Sequence, residues 1–259
     1  MDLGVNIDHI AVLREARRVN DPDIIDALSI VKLAGANQIT IHLREDRRHI
    51  QDQDLKRIMD LSSLPINLEC AKYEEMIDIA ISSNPHRVTL VPEKREEVTT
   101  EGGLIVDESD KVLIRAIEKL QFKGIEVSLF IDPCVESVNS SLALGVEWIE
   151  LHTGEYSNVF AMLYGNLASS HHSIKRLELP RKDLEIKLRY ELEKLKEISK
   201  YATELGLKVA AGHGLNYQNI TDIASIDNII ELNIGQSIIA RSIFTGLHQA
   251  ILDMKTNLS

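Results

Sequence analysis

The sequence predicts an α/β protein folded as a single (β/α)8 TIM barrel, and three observations lead there. A helical stretch that closes near Gly, Asn or Pro, followed by a short aliphatic run, recurs about eight times along the chain. Its 259 residues match one such barrel, typically about 250 residues, better than two domains. No GxGxxG follows the first strand, so the usual mark of a doubly wound open sheet is missing. Alternating βα units imply parallel strands joined by right-handed crossovers, and eight of them imply closure.

The elements follow in order. LGVNIDHI opens the chain as the first strand, and a helix over 22–34 ends at Ala34-Gly35-Ala36-Asn37 before QITIHL. Helices over 52–61 and 73–83 precede INLEC and RVTLVP, with Leu64-Pro65 and Asn84-Pro85-His86 as junctions. Those over 108–123 and 135–144 reach Lys123-Gly124 before IEVSLFID and Leu144-Gly145 before VEWIELHT. The long helix over 183–205 stops at Leu205-Gly206 before LKVAAGHG, and 218–225 leads to Asp227-Asn228 and IIELNIG. A last helix covers 237–255. Glycine after a periodic helix is the left-handed cap that lets the chain reverse. The strand runs read as nearly continuous apolar segments, as expected where both faces are covered.

Two connections, 92–107 and 153–182, are too long for turns. Both follow strands, which places them on the catalytic face of a barrel. The second reads equally well as an insertion or a subunit contact. Pairs Glu185/Arg189, Lys187/Glu191 and Arg189/Glu193 at i,i+4 spacing mark the 183–205 helix as a solvated face.

Composition narrows the function. Hydrophobic residues at 44% and charged residues at 27% describe a soluble globular chain with a large core. A net charge of −11 argues against nucleic acid or an anionic membrane as partner, and 4% aromatics leave few stacking platforms. No apolar run approaches the roughly 18 residues of a membrane span. The first residues lack a basic signal-peptide region. Cys70 and Cys134 form no CxxC, so the expected compartment is the reducing cytoplasm.

Unusual side chains gather at the C-terminal strand ends: Asn6-Ile7-Asp8-His9, His42-Leu43-Arg44, Asn67-Leu68-Glu69, His152-Thr153, Gly212-His213-Gly214 and Asn233-Ile234-Gly235. His49 lies just beyond the second. In a closed barrel these ends converge on one pocket, where burial tunes His and Glu for proton transfer. A single strand-end His is as often a packing residue, but so many polar groups together are hard to bury without a task. His86, His171, His172 and His248 read as structural or surface residues. No HxH or HExxH supplies a local chelating pair, so the cluster is read without a metal.

Two arginine clusters, Arg44/Arg47/Arg48 and Arg14/Arg17/Arg18, follow the second and first strands of this acidic chain. The guanidinium fork matches phosphate oxygens. Gly212-His213-Gly214 and Gly235-Gln236-Ser237 expose backbone N–H groups after strands seven and eight, where barrels bind phosphate. Each glycine pair alone is simply a tight turn. Together these features suggest two phosphorylated ligands.

The segments GVNIDHIAVLREAR, ITIHLREDRRHI, INLE, LVPEKREEVTTEGG, VSLFID, IELHTG, AGHGLNY and ELNIG resemble the pyridoxine 5'-phosphate synthase family of the bacterial vitamin B6 pathway, over about residues 3–255. The resemblance implies a transferase, a homo-octamer of barrels with no metal or organic cofactor. It would condense 3-amino-2-oxopropyl phosphate with 1-deoxy-D-xylulose 5-phosphate, releasing phosphate and water. By motif, His42 and Glu69 are implied as proton acceptors and His213 as the donor. Asp8, His9, Arg44, His49 and Thr99 are implied to contact the deoxyxylulose phosphate. Asn6, Arg17, Gly214 and the Gly235–Gln236 turn are implied to hold the aminoketone phosphate. The loop around 93–103 is implied to close over the site. Two features depart from the family pattern: Gln236 stands where Gly-His is usual, and the segment after Thr153 is longer by about a helix.

A phosphosugar isomerase or aldolase on the same barrel is the competing reading. A Schiff-base aldolase needs a strand-end lysine, whereas Lys208 begins its strand and Lys94 lies in a loop. A non-catalytic metabolite sensor is a third reading, and the His42/Glu69/His213 set argues against it.

Overall fold

Eight strands lie side by side, all parallel, and the last pairs with the first: β1 (Asp2–Asn6), β2 (Gln38–His42), β3 (Ile66–Cys70), β4 (Arg87–Leu90), β5 (Glu126–Ile131), β6 (Trp148–His152), β7 (Lys208–Gly212) and β8 (Glu231–Ile234). The structure, a computed structural model, describes residues 1–93 and 102–258. The closed (β/α)8 architecture expected from the sequence is present.

The strands are not continuous apolar runs, however. Ile39 and Ile41, Leu68, Val88 and Leu90, Leu129, Ile149 and Leu151 and Leu232 belong to the core that the strands share with the helices. Between them come Gln38, Thr40, His42, Asn67, Glu69, Arg87, Thr89, Glu150, His152, Glu231 and Asn233. Bonds from Arg87 on β4 to Glu231 on β8, and from Asn233 on β8 to Glu150 on β6, cross the barrel, so this alternate set faces inward. Strands alternate because successive Cβ atoms leave opposite faces of the pleat. Here the outward face meets the helices and the inward face forms a hydrogen-bonded polar interior.

Around the strands lie α1 (Asp8–Arg17), α2 (Asp26–Leu33), α3 (Asp52–Leu61), α4 (Glu74–Ser83), α5 (Lys111–Phe122), α6 (Val135–Ala143), α7 (Gly154–Tyr164), α8 (Arg181–Glu204), α9 (Ile220–Ala224), α10 (Gln236–Thr245) and α11 (Leu247–Thr256). Three differ in kind from the sequence reading. The region 22–34 contains α2, but α1 precedes it and starts directly after β1; it buries Asp8, Ala11 and Arg14 and ends on basic Arg14 and Arg17, which suit a helix C-terminus. The expected helix over 237–255 is two, divided at Gly246 with φ +79°, a value that favours glycine. The connection 153–182 is not open loop: it holds α7 and two 3-10 turns, Leu167–Ser169 and Lys175–Leu177.

That insertion packs Val159, Met162 and Leu177 against Leu184 of α8 in a small core of their own. Glu155 on α7 is held by Arg176 at 2.6 Å and by Lys187 of α8 at 2.9 Å. The charged face of α8 therefore does more than meet solvent: it fastens the insertion. Of the connection 92–107, residues 94–101 lie outside the described residues. No helix among those described is long and apolar enough to cross a membrane.

Candidate active site

A cavity of about 320 Å³ opens at the C-terminal end of the barrel. Of the residues singled out in the sequence, Asn6, His9, His42, Glu69, His213, Gly214, Gly235 and Gln236 line it. Asp8, Arg17, Arg44 and His49 do not, and Thr99 falls outside the described residues. Glu150, Asn233 and Phe130 also form part of its wall.

Asp8 acts one layer behind. Its carboxylate accepts the His42 backbone N–H at 3.0 Å and the Asn6 amide at 2.9 Å, while Asn6 Oδ1 accepts the Asp8 N–H. The start of α1 is thereby tied to the end of β2. Burial raises the Asp8 carboxyl to about 6 against the opposing pull of His42.

The His42 imidazole bonds through Nε2 to Glu93 Oε1 at 2.8 Å, and its Nδ1 stands 4.0 Å from Glu69. The second Glu93 oxygen accepts the Glu45 N–H at 2.9 Å. Burial pushes Glu93 up, but the His42 bond and charge outweigh it and hold this carboxyl below its ordinary range. Glu69 moves the other way. Burial first, then the neighbouring Glu150 and Asp8 carboxylates, raise it well above the usual value.

Glu150 sits deeper, with burial and Glu231 lifting it to about 8. Asn233 orders this floor. Its amide nitrogen donates to Glu150 at 2.9 Å and Glu231 at 3.2 Å, and its oxygen accepts from Thr40 at 3.0 Å and Gln38 at 3.2 Å. All its hydrogen-bonding capacity is used, so its orientation is fixed by the network. Room for this layer comes from Gly4 and Gly212: a Cβ on either would overlap Asn233 and Glu150 respectively.

At the end of β7, His213 adopts φ +84°, followed by Gly214 at +77°. A histidine there is strained by roughly 1 kcal/mol or more. Thr153 holds the turn, its hydroxyl 2.7 Å from the Gly212 carbonyl and 2.6 Å from that of His213. Burial and then the charge of His152 pull the His213 imidazole down to about 4. Opposite, the cavity reaches Gly235 and Gln236 at the N-terminus of α10, whose free N–H groups suit an anion.

The arginine clusters largely have other partners. Arg14 is buried and clasps Asp54 with two bonds of 2.7 and 2.8 Å, while donating to the His49 carbonyl at 3.0 Å. Arg47 pairs with Asp52 and Glu75, and Arg44 and Arg48 both reach Asp46. Arg17 and Arg18 stand exposed at the end of α1. His49 packs its ring 6.1 Å from that of His42, and its Nδ1 accepts the Ile50 N–H. Burial, then nearby positive charge, lowers it to about 3. Local carboxylates, close in sequence or on α3 and α4, engage most of both clusters. Among the described residues no group of three or more His, Cys, Asp or Glu is placed to hold a metal ion.

Glu93 and Glu150 were not singled out in the sequence, and Asn233 was read there only as part of a strand end. The spacing Glu150-Leu151-His152 repeats that of Asn67-Leu68-Glu69, and an alternating reading of the strands would have found it.

Comparison with known proteins adds a family. Residues 3–259 match the profile described as "Pyridoxal phosphate biosynthesis protein PdxJ". A pyridoxine 5'-phosphate synthase of Sulfurovum sp. (strain NBC37-1) is 66% identical over the whole of both chains. Another, from Aliarcobacter butzleri (strain RM4018), is 63% identical over 98% of each. A solved 4-hydroxy-2-oxoglutarate/2-dehydro-3-deoxyphosphogluconate aldolase superposes with a TM-score of 0.61 at 12% identity, covering 99% of this chain and 94% of its own, and thus shares the fold alone. On full-length similarity of this order, with the closed barrel and the strand-end cavity in place, the chain belongs to the PdxJ family of pyridoxine 5'-phosphate synthases.

Proposed function

We propose that the cavity condenses 3-amino-2-oxopropyl phosphate with 1-deoxy-D-xylulose 5-phosphate to pyridoxine 5'-phosphate, releasing inorganic phosphate and water. The observation that carries this reading is the meeting of His42, Glu69, Glu150 and His213 in one cavity that extends to the N-terminus of α10. Imine formation, dehydration, phosphate elimination and ring closure form and break C–N, C–O and C–C bonds with the help of proton transfers, for which groups displaced from their ordinary ranges are suited.

One phosphate lies across the Gly214 and Gly235–Gln236 turns, accepting backbone N–H groups, with Asn6 beneath Gly235. The other is held towards Arg44 and His49 on the β2 side, with Asp8 and His9 positioned there by the Asn6–Asp8–His42 bonds. Arg17 and Thr99 keep the substrate-binding roles that the resemblance implies. Burial and the neighbouring carboxyls raise the proton affinity of Glu69, and an ammonium or iminium bound nearby favours its charged form, in which it serves as a proton acceptor. His42 serves as the second acceptor, with Glu93 orienting its ring. His213 is neutral at pH 7 in the empty site, and a bound phosphate dianion raises it, which prepares it to donate. Glu150, protonated up to about pH 8, presents a neutral donor on the cavity floor.

No lysine lines the cavity among the described residues, which weighs against a Schiff-base aldolase. The exposed Ile243 and Phe244 of α10 offer apolar surface for the homo-octamer, and a cytoplasmic location belongs to the same reading.

The test is direct. Purified protein given both phosphorylated substrates forms pyridoxine 5'-phosphate and one equivalent of inorganic phosphate, followed by fluorescence and phosphate assay. His213→Ala lowers kcat by about a hundredfold or more with the circular dichroism spectrum kept. No product from the wild-type chain, or full turnover in the variant, refutes the assignment.

A further inference from the structure

At the end of β6 a second imidazole stands against His213. The His152 and His213 ring centroids are 4.8 Å apart, and the Phe130 ring lies 5.1 Å from that of His152. The His152 side chain is 8% exposed. Its Nδ1 lies 3.2 Å from Asp132 Oδ1 at the end of β5, and its Nε2 is buried with no hydrogen-bond partner among the described residues. An ionised carboxylate only accepts, so Nδ1 carries the proton and Nε2 keeps a lone pair. The same Asp132 oxygen accepts the Gly103 N–H at 2.9 Å, which fixes the carboxylate from its other side. Gly154 shows how closely the rings are set: a Cβ there would lie 2.5 Å from His152 Nε2 and 3.1 Å from His213 Cδ2. Both rings therefore rest against the same bare Cα.

We infer that Asp132 and His152 form a positioning pair for His213, with Asp132 fixing the His152 tautomer and His152 setting the orientation and proton affinity of the His213 ring. A buried, unpaired acceptor is unfavourable wherever it has no task, and here it adjoins a residue that the proposed reaction requires to gain and lose a proton. The inference rests on the proposed reaction for its catalytic meaning. The titratable groups around His213 are His152 on β6 and, around the cavity, Glu150, Glu69, His42 and His9. Asp132 reaches it through His152.

Variants at position 152 separate this role from packing. His152→Asn keeps an N–H donor toward Asp132 but has nothing at the Nε2 position. His152→Gln returns a polar atom near Nε2, and His152→Phe removes both while keeping a ring. The His213 titration midpoint, read by NMR of the labelled imidazoles, moves by about half a unit or more in His152→Phe and His152→Asn because the second imidazole beside it is gone. With both substrates, kcat falls about tenfold or more in His152→Asn at a KM within about twofold, and recovers in part in His152→Gln. Asp132→Asn, which keeps an oxygen for Gly103, lowers kcat in the same direction. An unchanged His213 midpoint with wild-type kcat in His152→Asn overturns the inference, even if His152→Phe fails to fold. A wild-type chain that forms no product overturns the reaction reading alone, and the His213 midpoint still decides the pair.

Discussion

Replacing Glu150 by Gln should make the protein more stable at alkaline pH and change it little at acidic pH. In the folded chain the Glu150 carboxyl is lifted from 4.5 to about 8, by burial first and by Glu231 second. Below about pH 4.5 it is protonated in both folded and unfolded chains, and no difference arises. Between about 4.5 and 8 the unfolded chain releases the proton and the folded chain keeps it, so stability falls as pH rises. At face value the displacement corresponds to about 5 kcal/mol. Adjustment of the cavity wall and entry of water reduce the measurable part to about 1–3 kcal/mol. Glutamine keeps the acceptor for the Asn233 amide, bonded at 2.9 Å in the parent, without the charge. Urea unfolding of wild type and Glu150→Gln at pH 5 and pH 8.5 gives the comparison, in which contributions of the other titrating groups largely cancel. The variant should gain on the wild type by that amount between the two pH values. A gain that is absent, or larger at pH 5, refutes the buried, proton-bearing Glu150. If Glu150 passes its proton to the substrate, the same variant, whose amide cannot, loses turnover while gaining stability, which separates function from folding.

Two further outcomes follow from the geometry. Arg14→Met leaves the Asp54 carboxylate buried without its two arginine bonds, at a cost of about 3–5 kcal/mol in urea unfolding, and adding Asp54→Leu should return most of it; equal stability of the single variant and wild type would show the clasp to be dispensable. Gln236→Ala keeps the backbone donors of α10 and should leave the KM for the aminoketone phosphate within about threefold. Gly235→Ala, whose Cβ would sit 2.8 Å from Asn6 Cβ, should raise that KM at least tenfold, and the reverse ranking would place the phosphate elsewhere.

The sequence made the mouth of the barrel readable because strand ends are local features. His42, Glu69 and His213 each close a run that a glycine or proline junction announces, and the barrel makes such ends converge whatever their separation along the chain. Asn6, His9, Gly214, Gly235 and Gln236 reached the same cavity for the same reason. The carboxylate partners of the arginines were not legible, because a charge cluster looks alike whether it faces a ligand or its own carboxylates. Arg14 could have been assigned to Asp54 only by knowing that the fold brings the end of α1 to the start of α3. α1 itself escaped notice because its apolar residues Ile10 to Leu13 run consecutively instead of at helical spacing, with Val12 and Leu13 exposed, and it is anchored by the Arg14 clasp and by Asp8.

What sequence determined by itself was therefore the periodic order of β and α units, and with it the barrel and the end at which chemistry collects. Tertiary structure alone decided which residues meet inside and at the mouth of the barrel: Asn233 with Glu150, Arg87 with Glu231, His152 with Asp132 and His213. The physical reason is register. The pleat dictates that alternate residues face inward, but the strand stagger and barrel closure set their relative heights. Those heights decide whether a buried carboxyl meets an amide, a guanidinium or another carboxyl, and so whether it keeps its proton.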